Sequence, residues 1–191
     1  MLSVAGGIYL AVLVNALAAR LAVATVLSYL LVYTPLKRKT PLCTALGALP
    51  GAAPVLIGWA GGSGDLNRQA WLLFAILFLW QFPHFLAIAL MYRDDYSRAG
   101  YRMLPDFDRD ARFTRAEIIA FTVILVLVTL LPLADRRAPF YSLSMLSAGG
   151  FLLFHVSRLA GCDSKALARK VVHATVLYLP VILGIMVAWK A

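Results

Sequence analysis

The chain has 191 residues, of which 62% are hydrophobic and only 14% are charged. An average soluble domain is roughly half apolar and a quarter charged, so the composition excludes an ordinary water-soluble protein and indicates that lipid is the solvent. The net charge of +9 is interpreted first as a signal of membrane topology, and we expect no nucleic-acid partner.

Seven apolar stretches follow one another along the chain: 2–14, 17–34, 42–60, 70–92, 115–134, 140–159 and 171–189. A membrane-spanning helix needs roughly 20 mostly apolar residues, so the first stretch is short for a span. Because lipid offers the backbone no hydrogen bonds, each spanning segment must be a helix or belong to a closed barrel. The stretches are apolar on all sides, which predicts an all-α, polytopic transmembrane helix bundle.

Basic residues are distributed unevenly between alternate loops. Loops 35–41, 92–115 and 158–170 carry 13 of the 18 basic residues, and the other loops carry five: Arg20, Arg68, Arg136, Arg137 and Lys190. Cytoplasmic loops carry the excess of lysine and arginine. The first set is therefore predicted to face the cytosol, with the amino terminus inside and the carboxyl terminus outside.

The first of these loops contains the run YTPLKRKT at 33–40. Lys37 and Arg38 could neutralise phosphate oxygens, and an arginine can bind two of them at once. Tyr33 and Lys37 are four residues apart and share a face if the helix continues through them. A basic triplet is also what a positive-inside anchor requires, so an anion site and a topology anchor both fit this run.

The stretch 70–92 carries the polar residues Gln81 and His84 inside the span. Intramembrane polar groups usually face a cavity or a partner helix, so a substrate contact and a bond to a neighbouring helix both remain open. At about 100° per residue, one stripe contains Gln81, His84, Ile88 and Asp95 if the helix continues that far. Asp94 would then point about 100° away.

The loop 92–115 mixes six arginines with five aspartates. Carboxylates near a phosphate-binding group suggest a magnesium site, because Mg²⁺ binds a few carboxylates together with substrate phosphates. Asp94 and Asp95 lie at the membrane edge and are the candidates for this role. The remaining three are interpreted as parts of a solvated loop: Asp106, Asp108 and Asp110.

Four segments are together similar to a known family: YTPLKRKT at 33–40, GAAPVLIGW at 51–59, WQFPHF at 80–85, and DYSRAG at 95–100 followed by MLP at 103–105. They resemble the heme O synthases, also called protoheme IX farnesyltransferases, of the UbiA superfamily of intramembrane prenyltransferases. The similarity covers essentially the whole chain, and the segment 80–105 is the most specific to the heme branch.

The resemblance implies a bundle of about nine helices around a cavity, of which about seven are present here. It implies transfer of a farnesyl group from farnesyl diphosphate to a vinyl group of protoheme IX, making heme O for terminal oxidases. Heme b would be a substrate, and Mg²⁺, held by two aspartate-rich motifs, would be the cofactor. The implied setting is the bacterial inner membrane rather than the mitochondrial one, with transient contact to heme A synthase or terminal oxidase assembly.

The resemblance also assigns roles to residues. Asp94 and Asp95 correspond to the second aspartate-rich motif and would act as metal ligands and catalytic groups, together with Lys37. The implied substrate-binding residues are Tyr33, Arg38, Gln81, His84, Arg98 and Arg102, with His84 near the porphyrin.

The first aspartate-rich motif of the family, of the Asn-x-x-x-Asp-x-x-x-Asp type, does not occur in the sequence. We therefore expect residues 1–191 to be a single membrane-embedded prenyltransferase domain that is incomplete at its amino terminus, and that by itself makes no heme O. Other interpretations remain open. The chain could be another UbiA-type prenyltransferase acting on a quinone or chlorophyll precursor, or an inactive membrane fragment or transporter-like bundle.

Overall fold

The computed structural model describes residues 1–108, 110–131, 139–162 and 164–189. Four basic residues of the loop comparison lie outside the described residues: Arg109, Arg136, Arg137 and Lys190. Within the described ranges every regular element is helical, which confirms the predicted all-α class.

Ten α-helices follow one another in the described part of the chain. They are α1 (Leu2–Leu13), α2 (Ala16–Ser28), α3 (Thr34–Leu36), α4 (Cys43–Ser63), α5 (Arg68–Met91), α6 (Arg93–Arg98), α7 (Leu104–Phe107), α8 (Arg112–Leu130), α9 (Pro139–Gly161) and α10 (Lys165–Ala188). A π-helical segment, Tyr29–Tyr33, joins α2 to α3, so that Ala16–Leu36 forms one span. Six spans are long and apolar enough to cross a membrane, and α1 is a shorter apolar helix. The chain is a multi-pass membrane protein.

The helices form two compact units, Met1–Phe78 and Leu79–Ala191. In the first, α2 packs against α1 and α4. Asn15 fixes this arrangement, because its Oδ1 accepts a hydrogen bond from the Ala18 amide (2.8 Å) and its Nδ2 donates to the Ala60 carbonyl in α4 (2.7 Å). The amide bond caps α2, and two fully buried alanines, Ala18 and Ala60, let the helices approach closely.

In the second unit, α9 packs against both α8 and α10. Its apolar core is joined by a small buried polar cluster. The Thr129 hydroxyl donates to the Val126 carbonyl (2.7 Å) and also lies 3.4 Å from the Tyr178 hydroxyl, within hydrogen-bond distance. The Tyr141 hydroxyl donates to the Thr129 carbonyl (3.3 Å). This cluster connects all three helices inside the span, where water is not available to satisfy these groups.

The helix α5 has 24 residues. At about 1.5 Å per residue it is roughly 36 Å long, more than the hydrocarbon thickness of a bilayer. It ends at Met91, because Tyr92 leaves the helical region with φ −111° and ψ 28°, and α6 begins at the next residue. The condition for one continuous stripe from Gln81 to Asp95 is therefore not met, and that prediction is wrong.

Candidate functional site

The basic end of the first unit is arranged around Tyr33. The helix ends at Leu36, just before the basic run, and its last turn reaches Lys37, whose amide donates to the Tyr33 carbonyl (3.0 Å). The Lys37 ammonium lies 5.9 Å from the Tyr33 ring centroid, which confirms that the two side chains share a face. The Tyr29 ring also packs against Tyr33, with 5.1 Å between the ring centroids.

The position of Tyr33 is fixed by a glycine on α4. A Cβ atom at Gly47 would lie 2.7 Å from both Cδ2 and Cε2 of Tyr33, which is closer than real contacts allow. The ring therefore occupies the space that a side chain at this position would need. Arg38 and Lys39 are exposed, whereas Tyr33 and Lys37 are partly buried.

The two candidate carboxylates lie next to each other on α6. Asp94 forms an ion pair with Lys165, at the start of α10, with 3.1 Å between Oδ2 and Nζ. Asp95 forms an ion pair with Arg98, on the same helix. The Asp94 and Asp95 side chains are 74% and 59% exposed, so both can reach a solute on the surface of this unit.

The short helix α6 is closed by Gly100, whose φ of +71° favours glycine. The Tyr101 amide donates to the Tyr96 carbonyl (2.9 Å), and the two tyrosine rings meet edge to face at 6.0 Å. Burial raises the pKa of the Tyr96 hydroxyl, and the neighbouring Tyr101 and Tyr92 raise it further. Arg102, a predicted substrate-binding residue, is exposed and lies 5.9 Å from the Phe107 ring centroid.

The interpretation of Asp108 as part of a solvated loop is wrong. Its Oδ2 accepts hydrogen bonds from the amide (2.7 Å) and the hydroxyl (3.0 Å) of Thr114. Thr114 is the third residue of α8, where helix amides lack partners within the helix, so Asp108 caps α8 from the preceding turn. Asp106 and Asp110 are exposed, as expected for a solvated loop.

The intramembrane histidine lies in a polar contact between α5 and α10. His84 Nδ1 is 2.8 Å from the Thr175 hydroxyl, and the Trp80 indole donates to the Thr175 carbonyl (2.7 Å). The Trp80 and His84 rings stack with centroids 4.6 Å apart. Gln81, three residues before His84, is 5% exposed and therefore buried.

The predicted site residues thus form three local groups. Tyr33 contacts Lys37 in the first unit, Asp95 contacts Arg98 in the second, and His84 contacts α10. In the ranges that the structure describes, no group of three or more histidine, cysteine, aspartate or glutamate side chains could hold a metal ion by itself. A cation at Asp94 and Asp95 would need further oxygen ligands from a substrate.

Sequence reasoning missed the partners that α10 supplies. Lys165 is 71 residues from Asp94, and Thr175 is 91 residues from His84, so no local spacing connects either pair. One signal was available for Thr175, because a polar residue within an apolar span usually faces protein.

Comparison with known proteins covers nearly the whole chain. A model of the UbiA prenyltransferase family matches residues 1–187. The protoheme IX farnesyltransferase of Solibacter usitatus is 46% identical over 97% of this chain and 64% of its own length. Those of Koribacter versatilis and Sorangium cellulosum are 44% and 42% identical, over 96% and 87% of this chain and 62% and 60% of their own lengths. This chain thus spans about three fifths of the length of the curated relatives it matches, and no solved structure matches it significantly.

Proposed function

Because this chain belongs to the UbiA prenyltransferase family, we propose that it takes part in the reaction for which its relatives are named, the farnesylation of protoheme IX. The donor would be farnesyl diphosphate and the product heme O. The observation that carries this proposal is the similarity to three protoheme IX farnesyltransferases over 87–97% of the chain. Under this proposal, residues 1–191 are part of a single membrane-embedded prenyltransferase domain.

The chemistry joins two carbons and releases diphosphate. The bond between farnesyl C1 and the diphosphate oxygen breaks, and its electron pair leaves with the diphosphate. The terminal vinyl carbon of heme then attacks C1, which leaves a cation on the carbon beside the porphyrin ring. Water adds to that cation and loses a proton, giving a hydroxyethylfarnesyl group. No protein nucleophile is required, so the protein must bind, orient and neutralise charge.

We assign Lys37 and Arg38 to the phosphate oxygens of the donor. Lysine and arginine form charge-assisted hydrogen bonds with phosphate, and these strengthen as negative charge develops on the leaving group. The contact between Lys37 and the Tyr33 ring supports this assignment, because it restricts the flexible lysine to one face of the helix. The resemblance also implies Arg98 and Arg102 as substrate-binding residues, and we assign them the same kind of charge-assisted contact.

We assign Asp94 and Asp95 to Mg²⁺. Their exposure, and their present pairing with surface cations, fit this role, since an exposed ion pair contributes only about 0–1 kcal/mol and can be exchanged. Magnesium is commonly held by one or two carboxylates together with substrate phosphates. When bound, Mg²⁺ would neutralise charge on the departing diphosphate.

We place the reaction in the bacterial inner membrane, with Lys37, Asp94 and Asp95 on the cytoplasmic side. The loop charge bias supports this orientation. The expected partners are farnesyl diphosphate, heme b and the lipid bilayer, with transient contact to heme A synthase or to terminal oxidase assembly.

The proposal can be tested with a chimera in which a relative provides the segment that this chain does not span. A chimera carries this chain in place of the matching segment of the Solibacter usitatus protein, and is expressed in a bacterial strain without its own heme O synthase. The extracted hemes are separated by chromatography and identified by mass spectrometry. We expect the strain to contain heme O. The amount of chimera in the membrane should equal that of the intact relative.

Two outcomes would contradict the proposal. A chimera at the normal membrane level that leaves heme b unchanged would remove the support for heme as acceptor. Prenylation of a supplied phenolic acceptor in place of heme would favour a quinone-type prenyltransferase instead.

A further inference from the structure

The hydrogen bonds around Thr175 favour one of the two neutral tautomers of His84. The Thr175 hydroxyl has one proton, and it donates this proton to the Val172 carbonyl at 2.7 Å. While it makes this bond, the hydroxyl acts as an acceptor towards His84, whose Nδ1 is 2.8 Å from the same oxygen. In this arrangement Nδ1 carries the hydrogen, and Nε2 of the neutral ring keeps its lone pair.

The ring is also held in a fixed orientation. Trp80 stacks on it with an interplanar angle of 16°, and Trp80 is itself anchored by donating to the Thr175 carbonyl. Thr175 is fully buried, so it provides a rigid support on α10 for two side chains of α5. In the described part of the chain His84 makes no second hydrogen bond, and its side chain is only partly buried.

This combination is typical of histidines that bind metals. A metal-binding histidine usually donates its other ring N–H to an oxygen of the protein, which fixes the tautomer and the ring orientation. A second histidine in a span provides a contrast. His155 bonds through Nδ1 to the Phe151 carbonyl of its own helix (3.0 Å), and among the described residues it has no hydrogen bond to a neighbouring helix.

We propose that Thr175 is a positioning residue that holds His84 with its proton on Nδ1, and that His84 Nε2 binds the iron of protoheme IX as an axial ligand. This rests on the proposed function, which makes an iron porphyrin the substrate. Histidine is a common axial ligand of heme iron. Ligation through the iron would orient the porphyrin while leaving its edge, which carries the vinyl groups, open to the donor.

The test compares two porphyrins that differ in the metal. The full 191-residue chain in lipid nanodiscs is titrated with iron protoporphyrin IX and with metal-free protoporphyrin IX, and binding is followed by absorption and electron paramagnetic resonance. We expect an imidazole-ligated iron spectrum with the natural chain. His84→Ala should abolish that spectrum and weaken binding of the iron form alone, and added imidazole should restore the spectrum.

Thr175 is tested by removing only its hydroxyl. Thr175→Val keeps the backbone carbonyl that binds Trp80 but removes the acceptor of His84, and should weaken iron-porphyrin binding by about 10–100-fold. Thr175→Ser keeps the hydroxyl and should bind as the natural chain does. The matched control is Thr122→Val, because Thr122 is equally buried and its hydroxyl donates only within its own helix, to the Ile118 carbonyl. His155→Ala is the control for loss of an intramembrane histidine.

The inference is overturned if the natural chain shows no imidazole-ligated iron, if His84→Ala weakens both porphyrins equally, or if His155→Ala abolishes the spectrum instead. Prenyl transfer, measured on the chimera, separates this inference from the proposed function. If the chimera transfers the prenyl group but the iron spectrum does not depend on His84, only the proposed ligation of iron by His84 is contradicted. A His84-dependent spectrum without transfer would leave the ligation intact and contradict the proposed function.

Discussion

The Lys37 ammonium lies 5.9 Å from the centroid of the Tyr33 ring, one helical turn earlier in the chain. A cation over an aromatic face is stabilised by about 0.5–1 kcal/mol at an exposed site, which favours one orientation of the lysine side chain. The neighbouring Lys39 has the same charge but is exposed. In the basic run, the aromatic contact thus orients Lys37. A topology signal needs only positive charge, which the exposed Lys39 supplies without such a contact in the described part of the chain.

This difference predicts unequal effects of removing the two lysine charges. In the chimera, Lys37→Gln should lower the rate of transfer by about 10²-fold, because developing charge on the diphosphate loses a partner. Lys39→Gln removes the same charge from the same run and should change the rate little. Initial rates at equal membrane levels provide the measurement, and equal losses would reduce the run to a topology anchor.

The packing of Tyr33 on α4 predicts opposite effects of two glycine substitutions. Gly47→Ala would place a Cβ atom 2.7 Å from the Tyr33 ring, and the resulting strain should destabilise the chain by about 1–3 kcal/mol. Gly58→Ala, in the same helix, meets nothing within 4 Å and should stabilise by up to about 1 kcal/mol through helix propensity. Thermal unfolding in one detergent compares them. A Gly47→Ala variant as stable as Gly58→Ala would show that Tyr33 does not occupy this space.

The cap of α8 predicts a structural role for one acidic residue. Asp108→Ala removes the acceptor of two hydrogen bonds from Thr114 and should cost about 1–2 kcal/mol of unfolding free energy. Asp110→Ala removes an exposed carboxylate two residues later and serves as the control. Denaturant unfolding of both variants tests this, and equal stability would mean that the cap contributes nothing.

The sequence predicted the features that depend on composition and local spacing. Each span follows from about 20 apolar residues, and the shared face of Tyr33 and Lys37 follows from one uninterrupted helical turn. The stripe to Asp95 failed because it depended on Tyr92 remaining helical, and no residue type there forces or prevents that. The role of Asp108 depended on where α8 begins, and helix ends are the least predictable boundaries.

Contacts between distant segments were beyond sequence reasoning for a different reason. The partner of His84 lies 91 residues away on α10. A polar residue within a span indicates that it needs a protein partner, but several pairings between spans satisfy that need equally well. Only the packing of α5 and α10 selects Thr175.

The charge bias of the loops predicts which residues face the cytosol. Single cysteines introduced at Ser97 and Ser63 should be labelled by a membrane-impermeant reagent from opposite sides, Ser97 from the cytosolic side. The natural Cys162 is exposed and must first be replaced by serine, whereas Cys43 is buried and can remain. Labelling of Ser97 only from outside would reverse the predicted topology.

The acidic helix α6 leads to the most direct test of the proposed diphosphate chemistry. In the chimera, Asp95→Asn keeps the size of the side chain but removes the charge assigned to Mg²⁺, and should slow transfer by about 10²–10³-fold. The loss of its exposed ion pair with Arg98 should cost little stability, so the effect should appear in the rate and not in the membrane level. Asp106→Asn is the matched control, because Asp106 is an exposed carboxylate of the same loop that lies on α7 rather than α6. The assignment would be supported if Asp95→Asn slows transfer, if extra Mg²⁺ partly restores the rate of that variant, and if Asp106→Asn leaves the rate unchanged. Equal and small effects at the two positions would leave α6 as part of the topology signal and remove the residue-level support for a metal there.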